Sequence, residues 1–439
     1  VADLSRKSAF EILLRFERGG ATRLKADSLI QDTLATASKI LSETDRGFTR
    51  ALVMGTLRHW LRLDEWIKLL TGRPLKNMTP PVRTLLRVGL FQLYGMAHVP
   101  AYAAIDTTVE LAKALKVSPK TVKFINAVLR EGQRALESNR FDPPPASESL
   151  SRHLLMAYGW PEAWVVLLQQ QYDDESILQM ARVSQSPAPL SVRVNTLKIS
   201  PAAYQEQLAQ ANVTCSVPDS ALPESLRIDG WSGSPRALPG YEEGWFYVQD
   251  PSSVWVSRFL NPEPGEQVLD LCAAPGSKTT HMSALMENQG KILAIEPKKD
   301  RLLLLKENMA RLGVENTETV QADGLAFEPE AGLYDRVLVD APCSGTGTLR
   351  RHPEILLQLK KPDFSTYTAQ QSALLTQGFS CLKPGGVLVY STCSLMRAEN
   401  HSVVAAFLKK NPEATLDAEE QRLITESCDG FYAARLRKK

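Results

Sequence analysis

A chain of 439 residues is too long for one ordinary hydrophobic core, so two or three domains are expected. Its 44% hydrophobic and 23% charged residues make a globular composition and exclude a disordered one, and no apolar run is long enough to span a bilayer. The net charge of +2 hides an asymmetry: residues 1–140 hold 23 Lys and Arg against 13 Asp and Glu, whereas the remainder holds 28 against 36.

In chain order, the opening residues Val1 to Lys7 lack the apolar core of a signal peptide, and a cytoplasmic protein without membrane contact is expected. Residues 1–140 read as helices. Ala9, Ile12, Leu13 and Phe16 recur at helical spacing, as do Leu52, Val53, Leu57, Trp60 and Leu61, then Val82, Leu86, Leu90 and Leu93. Gly19-Gly20, Gly72-Arg73-Pro74 and Thr79-Pro80-Pro81 punctuate them, which predicts an all-α bundle of roughly five to seven helices. A basic helical third on an acidic body fits a polyanion-binding module, although solvated helix faces give the same composition.

Phe141 to Pro145 cannot continue a helix and reads as a linker. Residues 141–244 are expected to hold that linker and a small α+β connecting subdomain, with a helix near Trp160–Gln171, a strand at Ser191–Asn195, and loops to about Gly244. Residues 245–439 alternate strand and helix. Apolar runs at Val268–Leu271, Ile292–Ile295, Val337–Val339 and Val387–Tyr390 look like buried parallel strands, and Arg301–Leu312 like a helix ending at Gly313. That alternation predicts an open, Rossmann-like α/β sheet whose ligands sit beyond the C-terminal ends of its strands.

The first of these strands runs into Cys272-Ala273-Ala274-Pro275-Gly276-Ser277-Lys278, where small residues let a ligand approach the backbone and the next helix offers N–H groups. Neither a Walker A loop nor Gly-x-Gly-x-x-Gly fits. Glu296 ends the second strand 20 residues beyond Gly276, the spacing of a ribose-binding carboxylate, and is equally readable as a surface strand end. Asp323 is placed to receive an adenine amino group or to make a turn. The fourth and fifth strands run into Asp340-Ala341-Pro342-Cys343 and Ser391-Thr392-Cys393, which would bring two cysteines to the ligand-bearing edge.

The six cysteines show no Cys-x-x-Cys pair and no companion histidines, so neither a metal site nor a disulfide framework is expected. They should matter as thiols. A thiolate is the soft nucleophile suited to adding at C6 of cytosine, which makes C5 nucleophilic towards a methyl donor. Asp340, near the base's Watson–Crick edge, could stabilise the protonated ring nitrogen during addition. The target base must leave its stack, and Arg350, Arg351 and His352 are candidate phosphate contacts or a solvated loop.

At these residues the chain resembles the Sun/Nop family of RNA m5C methyltransferases, and more closely its bacterial ribosomal branch. The resemblance rests on Gln249-Asp250-Pro251-Ser252-Ser253, Cys272 to Thr279, Asp340 to Ser344, Arg351-His352-Pro353, Ser391 to Ser394, and Asp429-Gly430-Phe431-Tyr432 with its basic tail. It extends to the helical N-terminus, which looks like a NusB-type RNA-binding domain. The resemblance implies S-adenosyl-L-methionine as cofactor, held by Cys272 to Lys278, Glu296, Asp323 and Asp340, and RNA, foremost small-subunit rRNA, as partner. It makes Cys393 the nucleophile and Cys343 the residue assisting release, unlike DNA cytosine methyltransferases, in which the Pro-Cys cysteine attacks. Ser277 stands where the family usually has Gly, and Glu296 where it has Asp, which bears on cofactor affinity. A tRNA substrate, a DNA cytosine methyltransferase using Cys343, and a non-catalytic RNA-binding assembly factor are the competing readings.

Overall fold

The computed structural model describes residues 3–19, 26–37, 41–231, 233–327, 332–358 and 363–439. Gly20 of the expected Gly19-Gly20 break lies outside them. The chain divides into two compact units, one of residues 1–186 with 349–362, the other of 187–348 with 363–439.

The first unit is helical. Its N-terminal part holds α1 (Leu4–Arg18), α2 (Ala26–Ala37), α3 (Glu43–Arg58), α4 (Trp60–Thr71), α5 (Pro80–Gly95), α6 (Ala101–Ala114) and α7 (Pro119–Glu137). Local chemistry sets their ends. Asp3 accepts the Ser5 and Arg6 N–H groups before α1, Ser42 and Asp45 form a capping box on α3, and Gly72 closes α4 at φ 62°. Pro80 and Pro81 open α5, where a missing N–H has no cost. The apolar faces predicted from spacing, including Ala9, Ile12, Leu13, Leu52, Val53, Leu86 and Leu90, are the buried ones. Phe141, in the non-helical stretch, stacks on Trp66 with centroids 4.3 Å apart. Next come α8 (Leu150–Tyr158), α9 (Glu162–Gln169) and α10 (Asp174–Val183), which belong to this unit and not to the sheet that follows. The compact division therefore falls at 186/187, and neither of the expected borders at 140/141 and 244/245 coincides with it.

The second unit holds two sheets. A small antiparallel one comprises β1 (Leu190–Val194), β2 (Thr214–Ser216), β3 (Ser225–Asp229) and β4 (Phe246–Val248) in the order β2-β3-β1-β4, with α11 (Pro201–Gln210) packed on it through Tyr204 and Leu208. The residues expected as loops up to Gly244 thus include a helix and two strands. After α12 (Pro251–Leu260) comes the main sheet: β5 (Gln267–Asp270), β6 (Lys291–Ile295), β7 (Thr317–Val320), β8 (Tyr334–Asp340), β9 (Leu382–Thr392), β10 (Ala414–Arg422) and β11 (Phe431–Lys438). Its order is β10-β11-β9-β8-β5-β6-β7, parallel from β9 to β7 and antiparallel at β10 and β11. The parallel part is Rossmann-like, with α13 (Ser277–Leu285) and α14 (Lys299–Leu312) as crossovers. The basic C-terminal tail is strand β11, paired with β9.

Between β8 and β9 the chain leaves this unit at Leu349, forms α15 (Ile355–Gln358) within the helical unit, and returns at Asp363 into α16 (Ser365–Ser380). Leu357 lies in the helical core, and Arg58 donates to the Arg350 carbonyl at 2.9 Å. A last helix, α17 (His401–Lys410), precedes β10. No helix among the described residues is long and apolar enough to cross a membrane.

The helical core contains one demanding polar feature. The Arg87 side chain, 3% exposed, meets Asp64 at 2.6 Å and Glu17 at 3.1 Å, and its guanidinium lies 3.9 Å from the Trp60 centroid. Arg87→Ala strips Asp64 of this cation inside the core and should cost about 3–5 kcal/mol. The midpoint of urea unfolding of the full chain measures it, and a loss below about 1 kcal/mol would show the pair to be dispensable.

Candidate active site

The parallel strands end along one edge of the main sheet, and the predicted residues of the catalytic half lie beyond those ends. Cys272 to Lys278 link β5 to α13, Glu296 directly follows β6, Asp323 follows β7, Asp340 closes β8, and Cys393 directly follows β9.

The loop after β5 is held from several sides. Asp270 is buried and accepts from Thr279 Oγ1 at 2.8 Å and the Cys272 N–H at 3.3 Å, which ties the loop's start to α13. Gly276 has φ 101°, and a Cβ there would lie 2.5 Å from Leu305 Cδ1. Loop carbonyls are taken by side chains: Arg301 donates to Ala274 O, Asn308 Nδ2 to Pro275 O at 3.1 Å, and the buried Arg193 to Ser277 O. Ser277 is the first residue of α13, whose opening N–H groups lack intrahelical partners by construction and can serve an anion or a polar ligand. Burial, reinforced by the charges of Asp270, Asp340 and Glu296, pushes the Cys272 thiol well up, so it stays protonated.

Glu296 is buried, not a surface strand end. Its Oε1 accepts from the Lys298 N–H at 3.0 Å and its Oε2 lies 3.3 Å from Arg301 Nη1. Asp323 is exposed, and its Oδ1 accepts from the Leu325 N–H at 3.0 Å, a turn-forming bond. Lys278, although part of the β5 loop, directs its amine elsewhere: Nζ lies 2.8 Å from Asp340 Oδ2 and 5.2 Å from the Phe431 ring centroid. The other oxygen of Asp340 accepts from Ser391 Oγ at 2.8 Å.

Asp340 and Ser391 are register partners in the β8–β9 pair, so the two cysteine loops leave the sheet side by side. Cys343 Sγ and Cys393 Sγ are 3.3 Å apart. The Gly347 N–H donates to Cys393 O at 2.8 Å, and Gly430 N–H to Gly347 O at 2.9 Å. A Cβ on Gly347 would lie 2.0 Å from Gly430 O, so three loops converge where only glycine fits. The hydrogen bond to Cys393, then burial, push the Cys343 thiol well up.

The three candidate phosphate contacts fare differently. Arg350 is 6% exposed, with Nη2 on Ser186 Oγ at 3.0 Å, so its guanidinium is committed to the helical unit and that expectation is corrected. Arg351 is half-buried, and His352 is half-buried with Nδ1 3.5 Å from Glu354 Oε1. Sequence reasoning missed Ser391 as the partner of Asp340, and missed Glu399, a buried acid beyond the Cys393 loop that hydrogen-bonds Ser344 and Ser394. Neither carried a signal: a serine at a strand end and a single loop acid are common. No cluster of three metal-ligating side chains occurs among the described residues.

Three family models match: NusB over residues 3–134, a ferredoxin-like domain of RsmF/B-like methyltransferases over 160–232, and 16S rRNA methyltransferase RsmB/F over 257–437. The "Probable ribosomal RNA small subunit methyltransferase B" of Synechocystis sp. is 36% identical over 420 residues, 91% of this chain and 92% of that protein. The chain belongs to the RsmB/F family of 16S rRNA methyltransferases. The ribosomal RNA small subunit methyltransferase B of Klebsiella pneumoniae is 35% identical over 93% of this chain and 94% of its own length. The crystal structure of PH0851 shares the fold at TM-score 0.79 and 24% identity, covering 100% of this chain and 99% of that one. Family membership and the Rossmann-like sheet agree with the resemblance seen in the motifs, and the NusB match agrees with the helical N-terminus.

Burial pushes the Asp270 carboxyl up to about 7, with the charge of Asp340 adding and the Thr279 hydrogen bond opposing. A carboxyl raised in the fold holds its proton more tightly folded than unfolded. Its contribution to stability is therefore largest below its ordinary range near 4 and is lost as pH rises to about 7. Asp270→Asn should flatten that part of the stability profile and raise stability at pH 8 by about 1–4 kcal/mol. Melting temperatures from pH 5 to 8 measure it, and parallel curves for the two proteins would refute the shift.

Proposed function

We propose that this chain methylates C5 of a cytosine in RNA, using S-adenosylmethionine, with small-subunit rRNA as substrate and Cys393 as nucleophile. The observation that carries this reading is a pair of thiols 3.3 Å apart beside the Lys278–Asp340 ion pair, in a member of a 16S rRNA methyltransferase family.

The residues present fit the cofactor. The glycine-restricted loop Cys272 to Lys278 offers close backbone approach and the first N–H groups of α13, the buried Glu296 suits the ribose hydroxyls, and Asp323 and Asp340 complete the set. When bound, the cofactor supplies an electrophilic methyl group. The chain's own residues do the rest. The Cys393 sulfur gives up its proton to solvent and bonds to C6, and electron density moves to C5 while the ring nitrogen gains a proton from solvent. Asp340, held by Lys278 and Ser391, accepts a hydrogen bond from that protonated nitrogen. Once C5 carries the methyl group it loses its proton to solvent, the C5–C6 double bond reforms, the S–C6 electrons return to sulfur, and the ring nitrogen gives up the proton it gained. Cys343, in contact with Cys393 Sγ, serves this release.

RNA binding is assigned to the helical unit, with Arg351 and His352 as further phosphate contacts. Lys116, in the turn between α6 and α7, and Lys120, Lys123 and Arg130 along α7 are exposed cations in one stretch of the chain. Changing Lys116, Lys120 and Lys123 together to Glu should weaken binding of 16S rRNA and lower the slope of log affinity against log salt by about 2–3. An unchanged slope in filter binding would move the RNA contact off this stretch.

Full-length protein incubated with unmethylated 16S rRNA and methyl-labelled cofactor should yield labelled 5-methylcytidine after digestion. Label in another nucleoside, or none, overturns the reading. Cys393→Ala should lose methyl transfer and form no covalent RNA adduct. Cys343→Ala should still methylate and accumulate a protein–RNA adduct that survives denaturing electrophoresis. The reverse pattern would make Cys343 the nucleophile.

A further inference from the structure

One buried carboxylate touches both cysteine loops and has no part in the chemistry above. Glu399, in the segment between β9 and α17, is 0% exposed. Its Oε1 accepts from the Ser344 N–H at 2.8 Å and Gln371 Nε2 at 3.1 Å. Its Oε2 accepts from Ser344 Oγ at 2.5 Å and Ser394 Oγ at 2.6 Å. Ser344 directly follows Cys343, and Ser394 directly follows Cys393. The two hydroxyls are also 3.3 Å from each other, and Ser394 Oγ lies 3.1 Å from Thr346 Oγ1. A carboxylate has four acceptor sites, and all four are engaged here, three of them by groups of the residues that follow the two thiols, Ser344 and Ser394. A charge taken this far from water is tolerated only because every lone pair has a donor.

We propose that Glu399 is a positioning residue for both thiols, its carboxylate clamping the Cys343 and Cys393 loops at one spacing so that addition and release occur in the same active-site geometry. The inference rests on the cytosine chemistry proposed above. The clamp has a second effect, because the charge it brings stands near Cys343. The titratable groups facing that thiol are Cys393, Glu399, Tyr367 and Tyr390. After the hydrogen bond to Cys393, burial and the charge of Cys393, the charge of Glu399 adds to the upward push on Cys343 and helps keep it protonated. Removing a negative neighbour makes the thiolate less costly, so the Cys343 pKa falls.

Glu399→Gln in the full-length protein tests both parts. Iodoacetamide alkylation, read at each cysteine by peptide mass spectrometry across pH, should show the Cys343 midpoint falling by about 0.5–1 unit. Methylation of 16S rRNA should lose roughly tenfold or more in kcat, with the KM for RNA and the affinity for S-adenosylhomocysteine within about twofold. An unchanged alkylation midpoint, or an unchanged kcat, overturns the proposal. Where Glu399→Gln no longer binds S-adenosylhomocysteine, Ser344→Ala, which removes one hydroxyl of the clamp and leaves the carboxylate, decides by turnover: lower kcat with the KM for RNA unchanged supports the clamp, and a wild-type kcat rejects it. Alkylation needs no RNA, so failure here is distinct from failure of the cytosine reading.

Discussion

Everything at this site depends on the register of one parallel strand pair. β8 and β9 run side by side with Val337 opposite Leu388, Val339 opposite Tyr390, and Asp340 opposite Ser391. All of these but the half-buried Asp340 are completely buried, so a slip by one position would turn apolar side chains out of the core. Holding that register brings the Asp340 carboxylate to the Ser391 hydroxyl, and the two cysteine loops then start from adjacent points. Thiols from segments 50 residues apart in sequence thus meet in a hydrogen bond, with no disulfide between them.

The edge of the sheet gathers an unusual density of acids, and each is handled by a different device. Asp270 is buried next to Thr279 and pushed towards its neutral form. Asp340 has Lys278, and Glu296 has Arg301 together with a backbone N–H. Glu399 has two hydroxyls, a side-chain amide and a backbone N–H as its donors. The arrangement lets carboxylates crowd a small space while each group keeps a defined orientation, which a flexible ring of surface charges would not give.

Much of this was legible in the residues. Long amphipathic helices announce themselves through several turns of repeated spacing, and the apolar strands of the main sheet through buried runs such as Val337–Val339. The loop after β5, Glu296 and the two cysteines could be placed at the strand ends because they fall directly after those runs. The short strands β2 and β4 were not, since three residues carry too little alternation to distinguish a strand from a loop. The basic tail concealed β11 because its polar positions were read as charge and its pairing with β9 is a long-range matter. Arg350 looked like a phosphate ligand because a run of cations is ambiguous in sequence. Only tertiary packing showed that Ser186 and the neighbourhood of Arg58 claim it.

The excursion between β8 and β9 has a consequence for how the protein can be taken apart. Residues 349–362 belong to the helical unit, yet they are encoded between the two strands that carry the thiols. A fragment ending at Ser186 lacks Leu357 from its hydrophobic core, the Arg350 carbonyl from Arg58, and the Glu354 carboxylate from the Ala26 N–H. A fragment beginning at Pro187 carries a strip of chain whose packing partners are gone. No single crossover in the gene exchanges either unit whole, so recombination that shuffles the helical unit onto another catalytic unit must cut in three places.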